Sequence, residues 1–236
     1  QGTANGRVDT PGAVAVSADR KVYVADSGND RVQQFTGTGV FQRQWGGSGV
    51  SDGRFDGPSG VAVDVTGQVY VADSANHRVQ QFTATGAFLS QWGTNGAANG
   101  QFATPVGLGI APDGVKVLVA DTFNHRVQRF TPGGTVPGAP PAFVSTWGSQ
   151  GAGSGQFLGP VGVDVDVSGN VYVADAGNSR IQKFSSNGDL LTQWGTPGVG
   201  DGHLNDPTGV AVSAFGAVYV ADRLNNRIQE FTSTGE

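Results

Sequence analysis

The 236-residue chain has no cysteine and no methionine. The first absence removes disulfide frameworks, thiolate metal sites and cysteine nucleophiles. The second extends to position 1, so a processed or excerpted segment is expected. Charge is sparse: 14% of residues are charged, and 14 Lys+Arg stand against 19 Asp+Glu for a formal net charge of -5. Phosphate recognition needs a basic face, so no nucleic-acid partner is expected. No run of 18 apolar residues occurs, and no membrane insertion is expected. No Asn-x-Ser/Thr acceptor occurs either. Apolar residues at helical spacing are missing, which argues against helices as a main element.

Glycine abounds, with 39 residues beside 11 prolines and no collagen period. That composition fits a chain of many tight turns. A phrase also recurs. "VYVADSGNDRVQQF" (22–35) returns as "VYVADSANHRVQQF" (69–82), "VLVADTFNHRVQRF" (117–130), "VYVADAGNSRIQKF" (171–184) and "VYVADRLNNRIQEF" (218–231). Its aspartates, Asp26, Asp73, Asp121, Asp175 and Asp222, are spaced by 47, 48, 54 and 47 residues. Trp45, Trp92, Trp147 and Trp194 follow the same period. The long step holds an insertion, "PGGTVPGAPPAF" (132–143), whose Pro and Gly predict an extended surface loop.

Each unit contains four strand-like runs. In the second they are "GVAVDV" (60–65), "QVYVAD" (68–73), "HRVQQF" (77–82) and "AFLSQWG" (87–93), separated by Gly, Asn, Asp and Ser. The connections are too short for helices. A four-stranded meander cannot bury both faces alone, but a radial array of them can, and this gives a β-propeller. Crowding near the axis should place the Gly/Val/Ala strand innermost. The Trp strand should lie outermost, with each indole over a seam between blades.

The pattern "P-x-G-V-A-V-D…G-x-V-Y-V-A-D-x-x-N-x-R-V-Q-x-F…G-x-F-x-x-x-W-G" resembles the NHL repeat, a propeller blade. Asn76-His77-Arg78 and Asn124-His125-Arg126 carry that motif's Asn-His core. The resemblance implies an all-β propeller over residues 1–236, with units at about 5–46, 52–93, 99–148, 154–195 and 201–236. Rings of this family usually have six blades, whereas five units are present. The expected architecture is five four-stranded antiparallel blades, the last without its outer strand. The alternatives are part of a six-bladed or longer array, or a partner that donates the missing strand.

Candidate chemistry is thin. The pairs Asp26/Arg31, Asp73/Arg78, Asp121/Arg126, Asp175/Arg180 and Asp222/Arg227, like the four tryptophans, recur from unit to unit and are expected to be architecture. Each arginine is expected to meet a carboxylate across its hairpin or in the next blade. His77 and His125 are equivalent and His203 is not, so a three-His metal site is not expected. Amidating lyases of this fold are similar in architecture and hold zinc through histidines just after the proline opening the inner strand. Pro11, Pro58, Pro105, Pro160 and Pro207 are followed by no histidine, so that activity does not carry over. Asp164 and Asp166 of "DVDV", on one face of an inner strand, and Asp64, at the position of Asp164 or its neighbour, are weak calcium candidates. No other cofactor is expected.

The turn tips vary inside the constant phrase: "SGND", "SANH", "TFNH", "AGNS" and "RLNN". A constant frame with changing tips is how repeat proteins build a binding face. The candidates are Asp30, His77, Phe123, His125, Arg223 and Leu224, with the segment around 137–141 as a second docking element. The expected function is a non-enzymatic protein-interaction or structural module, secreted or on the cell surface, bacterial or archaeal, and able to self-assemble. A protein partner or a homo-oligomer is expected. The rivals are a lyase or hydrolase acting at the axis and a carbohydrate-binding propeller.

Overall fold

In the computed structural model, residues 2–114, 116–131 and 139–236 are described. Alternating apolar residues separated by glycine turns pair as consecutive hairpins into five antiparallel sheets. The innermost strands are β1 (Ala13–Val16), β5 (Pro58–Val63), β9 (Pro105–Ile110), β13 (Pro160–Val165) and β17 (Pro207–Val212). The phrase itself folds as the second and third strands of each blade, for example β6 (Val69–Asp73) and β7 (Arg78–Phe82). The outer strands are β4 (Phe41–Gly46), β8 (Phe88–Trp92), β12 (Ala142–Trp147) and β16 (Leu190–Trp194). The fifth sheet is β17, β18 (Val218–Asp222) and β19 (Arg227–Phe231), and it has three strands. The chain is thus an all-β propeller of five blades, four of them four-stranded.

Strand ends differ from the sequence pattern in physically explicable ways. β5 stops at Val63 rather than 65 because the Asp64 carboxylate accepts the amides of Thr66 and Gln68, which turns the chain there. β7 begins at Arg78 rather than 77 because His77 sits at φ 55°. Four of the five tips are single 3-10 turns, at Ser27–Asn29, Thr122–Asn124, Ala176–Asn178 and Arg223–Asn225, a shape that alternation does not reveal. Of the insertion expected at 132–143, residues 132–138 lie outside the described residues. Ala142 and Phe143 belong to β12.

Each seam between neighbouring blades holds one apolar cluster. One face of a blade presents Tyr, Ala, Val and Trp, such as Tyr70, Ala72, Val79 and Trp92. The next blade meets it with Leu108, Val117, Val119 and Phe130. The same pattern fills the other three seams. Each indole packs against the next blade's Phe: Trp45 on Phe82, Trp92 on Phe130, Trp147 on Phe184 and Trp194 on Phe231, with ring centroids 5.8–6.0 Å apart. One further side chain from each inter-blade loop plugs the seam: Phe55, Phe102, Phe157 and Leu204, all fully buried. Adjacent inner strands approach so closely that Gly12, Gly60, Gly107 and Gly162 lie against the next blade's backbone, where a Cβ would overlap a carbonyl oxygen or amide. Inner strands pack in order from β1 to β17. Among the described residues, β17 and β1 are not packed on each other in this way.

Candidate functional site

The polar residues of the repeated phrase form one network in each blade. Asp73 ends β6 and is fully buried. Its carboxylate accepts the Asp56 amide at 2.8 Å, Asn76 Nδ2, Arg78 Nε at 2.7 Å and Gln80 Nε2 at 3.0 Å. Arg78 then spreads its remaining N–H groups over the carbonyls of Val50, Ser51 and Arg54, in the loop that enters the same blade. Gln80 Oε1 accepts the Gly53 amide in that loop. Arg180 repeats the arrangement in blade 4. Its Nε donates to Asp175 at 2.8 Å, and its other N–H groups reach the carbonyls of Ala152, Gly153 and Gln156 and the amide oxygen of Gln193.

Each Asp–Arg pair therefore ties a hairpin to its own entry loop. Arg31 with Asp26, Arg126 with Asp121 and Arg227 with Asp222 do the same. The sequence reading allowed these arginines a carboxylate in the next blade. They meet the carboxylate across the hairpin instead, and the N–H groups left after Nε go largely to carbonyls of the entry loop of the same blade. Arg180 departs from a purely internal role in one respect, since it also lines a surface cleft of about 420 Å³ with Asn178, Gln193 and Trp194. Arg31 lines an equivalent cleft with Asn29, Gln44 and Trp45 in blade 1.

Burial works against the Asp26 charge, but the Asp9 amide, Arg31 and Asn29 outweigh it and hold the carboxyl below its ordinary value. Asp222 is lowered in the same way, with burial opposed by Asn225 and Arg227. The glutamine is a member that the Asp–Asn–Arg pattern misses. Its signal is the unvarying Arg-x-Gln of all five copies.

The turn-tip candidates separate into two groups. Asp30, His77 and His125 occupy the left-handed position that closes the tip, at φ 50°, 55° and 53°. They are half-buried and reach the next blade. Asp30 accepts the Gly57 amide at 2.9 Å, His77 Nδ1 that of Thr104 at 3.1 Å, and His125 Nδ1 that of Gly159 at 3.0 Å. Phe123 and Leu224 instead stand in solvent, 68% and 56% exposed, at equivalent places in blades 3 and 5. In blade 4 that place is Gly177, and exposed Leu158 from the entry loop lies over it. Arg223 is exposed and pairs with Asp206. In the second docking element, positions 137 and 138 lie outside the described residues, so that segment is not described as a whole.

The carboxylate candidates do not share one face. Asp164 lies on β13, whereas Asp166 is in the turn beyond it, and Asp64 matches Asp166. The reason is the same in both turns: Asp64 and Asp166 each accept two amides of their own turn and the next strand's Tyr hydroxyl at 3.2 Å. Burial pushes the Tyr70 and Tyr172 hydroxyls up, and the facing carboxylates add to it. Asp164 accepts the Val212 amide of blade 5 at 2.7 Å, and burial raises it above the usual carboxylate range. Among the described residues, no three His, Asp or Glu side chains converge as metal ligands.

At the axis is a cavity of about 490 Å³. Its wall is the inner strands, with Gly60, Gly107, Gly162 and Gly209 and the valines beside them. Tyr219 is its one titratable side chain among the described residues. On the blade 5 side the wall extends to Tyr219 and Ile228, and on the other to Val14.

The family model for the NHL repeat matches four stretches, 9–35, 55–82, 157–184 and 204–231. No curated protein matches the chain. Among solved structures, a streptogramin B lyase is similar with TM-score 0.68 and 16% identity, over 96% of this chain and 66% of that one. Virginiamycin B lyase from Staphylococcus aureus gives the same score and identity, with 68% of that chain covered. A nidogen/laminin complex chain matches with TM-score 0.66 and 16% identity, over 95% of this chain and 76% of that one. The chain thus spans about two thirds of the length of the lyases, and at such identities the likeness is one of fold. The chain thus carries four stretches that match the NHL repeat, set on a β-propeller fold.

Proposed function

We propose that the chain is a non-enzymatic binding module that engages a protein partner with the end of the propeller carrying the turn tips. The observation that carries this reading is the contrast between the constant and the varying residues at that end. The constant Asp, Asn, Arg and Gln are consumed by their own blades. The residues that break the repeat, Phe123, Leu158 and Leu224, expose apolar side chains on consecutive blades. Exposed apolar groups grouped on a rigid frame are the usual chemistry of a protein-binding face. An extracellular or cell-surface setting belongs to the same reading, by analogy with other NHL propellers.

The lyase reading is weaker because the axial wall offers glycine, valine and alanine where acid–base chemistry needs convergent titratable groups. A sugar platform would need flat, open aromatic faces, whereas each indole packs in a seam against the next blade's Phe. The test places a photo-crosslinking phenylalanine analogue at position 123, 224 or 215. Phe215 is fully exposed in a turn at the opposite end. One partner captured from 123 and 224, but not from 215, is the expected result. Equal capture from all three sites, or conversion of a streptogramin B substrate seen by mass spectrometry, would overturn the reading.

A further inference from the structure

Two histidines of the tip turns sit where one blade meets the next. His77 and His125 close their turns at φ 55° and 53° and are half-buried. Each uses Nδ1 to accept a backbone amide of the following blade, Thr104 at 3.1 Å and Gly159 at 3.0 Å. A neutral imidazole with its hydrogen on Nε2 can do this, whereas a protonated ring carries an N–H at both nitrogens and can accept nothing. Blade 1 makes the same contact from Asp30 to Gly57 at 2.9 Å, and a carboxylate goes on accepting in mild acid.

The amides held in this way belong to the loops that support the exposed apolar residues. Ala103, next to Thr104, offers the carbonyl that accepts the Phe123 amide at 3.1 Å. Leu158 directly precedes Gly159, and its carbonyl accepts the Gly177 amide at 2.9 Å. Thr104 is also strained, a β-branched residue held at φ 53° where blades 2 and 4 place Gly57 and Gly159. Segments 93–105 and 148–160, which enter blades 3 and 4, contain no charged residue. The charged groups of the hairpins on either side are Asp73 with Arg78, Asp121 with Arg126 and Asp175 with Arg180, each paired inside its own blade. Histidine is the side chain whose charge ordinarily changes between pH 5 and 8.

We propose that His77 and His125 are acid-released latches that regulate the tip face, a role that rests on that face being the binding face. At neutral pH the two imidazoles hold the entry loops of blades 3 and 4 and fix Phe123 and Leu158 for the partner. In mild acid each acceptor becomes a donor facing another donor, and the loop is let go. The contact is therefore present at neutral pH and lost as pH falls, well above the range in which carboxylates take up protons. The two latches are unequal. Gly159 keeps its left-handed backbone at no cost once released, whereas Thr104 relaxes out of it and takes the Ala103 carbonyl away from Phe123. Blade 1, with Asp30, stays latched throughout.

The test follows the amides of Gly57, Thr104 and Gly159 by NMR-detected hydrogen exchange in the 236-residue protein, from about pH 7.5 to about pH 5. After correction for the intrinsic pH dependence of exchange, protection at Thr104 and Gly159 should fall roughly fivefold or more, most at Thr104, and Gly57 should hold. His77→Asp together with His125→Asp should keep all three protected across the range, and Thr104→Gly should blunt the response at position 104. Unchanged protection at Thr104 and Gly159 in acid, or an equal fall at Gly57, would overturn the latches. Capture of the partner from the crosslinking analogue at position 123 should fall severalfold at the lower pH in the native chain and hold in the double Asp variant. An equal fall in both, or none in either while the amides are released, would overturn the regulation. No capture at neutral pH would overturn the binding face and the regulation with it, whereas the latches stand or fall on the amides of the isolated protein.

Discussion

Replacing Asp73 by Asn keeps the side-chain volume and removes the charge at the centre of a saturated network. Oδ2 receives Asn76, Arg78 and Gln80, and Oδ1 receives Asn76 and the Asp56 amide. Whichever way the amide turns, its NH2 faces a donor. If it replaces Oδ1, the Asp56 amide loses its acceptor. If it replaces Oδ2, Arg78 and Gln80 lose theirs. Removing one member of a buried ion pair costs about 3–5 kcal/mol. Arg78 keeps the Val50, Ser51 and Arg54 carbonyls, so the low end applies, about 3 kcal/mol. For a chain of this size that is a fall in Tm of roughly 6–12 °C. Urea unfolding followed by the fluorescence of the seam tryptophans measures it as a lower midpoint at unchanged slope. Asp222→Asn is the internal control, because Arg227 is 26% exposed against 8% for Arg78, and water replaces part of what is lost. A loss at Asp73 within about 0.5 kcal/mol of zero, or equal losses at both sites, would refute the idea that burial sets the cost.

Other substitutions probe the seams and the acid response. Gly107→Ala should cost about 1–3 kcal/mol by overpacking against Val161 of the next blade, and Gly209→Ala should be nearly neutral, both by urea midpoint. His77→Ala should cost about 1 kcal/mol by removing the acceptor of the Thr104 amide, and His77→Asp, the residue blade 1 uses there, should restore most of it. Asp26 and Asp222 have lowered folded values, so their stabilisation is complete above the ordinary carboxylate value near 3.8 and is lost as pH falls through the lower folded values. Thermal melts should decline below about pH 4 and decline less in Asp222→Asn. Asp164 has the opposite sign: its contribution is complete in acid and is lost as pH rises through its raised value, so Asp164→Asn should not destabilise at neutral pH.

Much of this protein is local and periodic, and that part is legible in one dimension. Alternation, glycine turns and a spacing near 47 residues specify four-stranded blades, because strand pairing between neighbours in sequence needs nothing distant. The three-stranded form of blade 5 is equally visible, since no fifth tryptophan run follows Phe231. What a residue faces beyond its own hairpin is another matter. Arg180 reads as a partner for Asp175, yet the carbonyls of Ala152, Gly153 and Gln156 that complete its coordination come from a loop some 25 residues earlier. Phe123 and His125 are two positions apart in one turn, yet one stands in solvent and the other holds the next blade's amide. Asp64 and Asp164 read alike as acidic residues near the ends of "VDV" runs, but one closes a turn and the other reaches blade 5. Ile181 and Ile228 have the same sequence context and opposite burial, because only Ile181 has another blade beside it. The sequence by itself determined the blade and its repetition through local pairing. Tertiary structure alone decided which faces are covered, because burial belongs to the neighbour a sheet meets and not to the sheet.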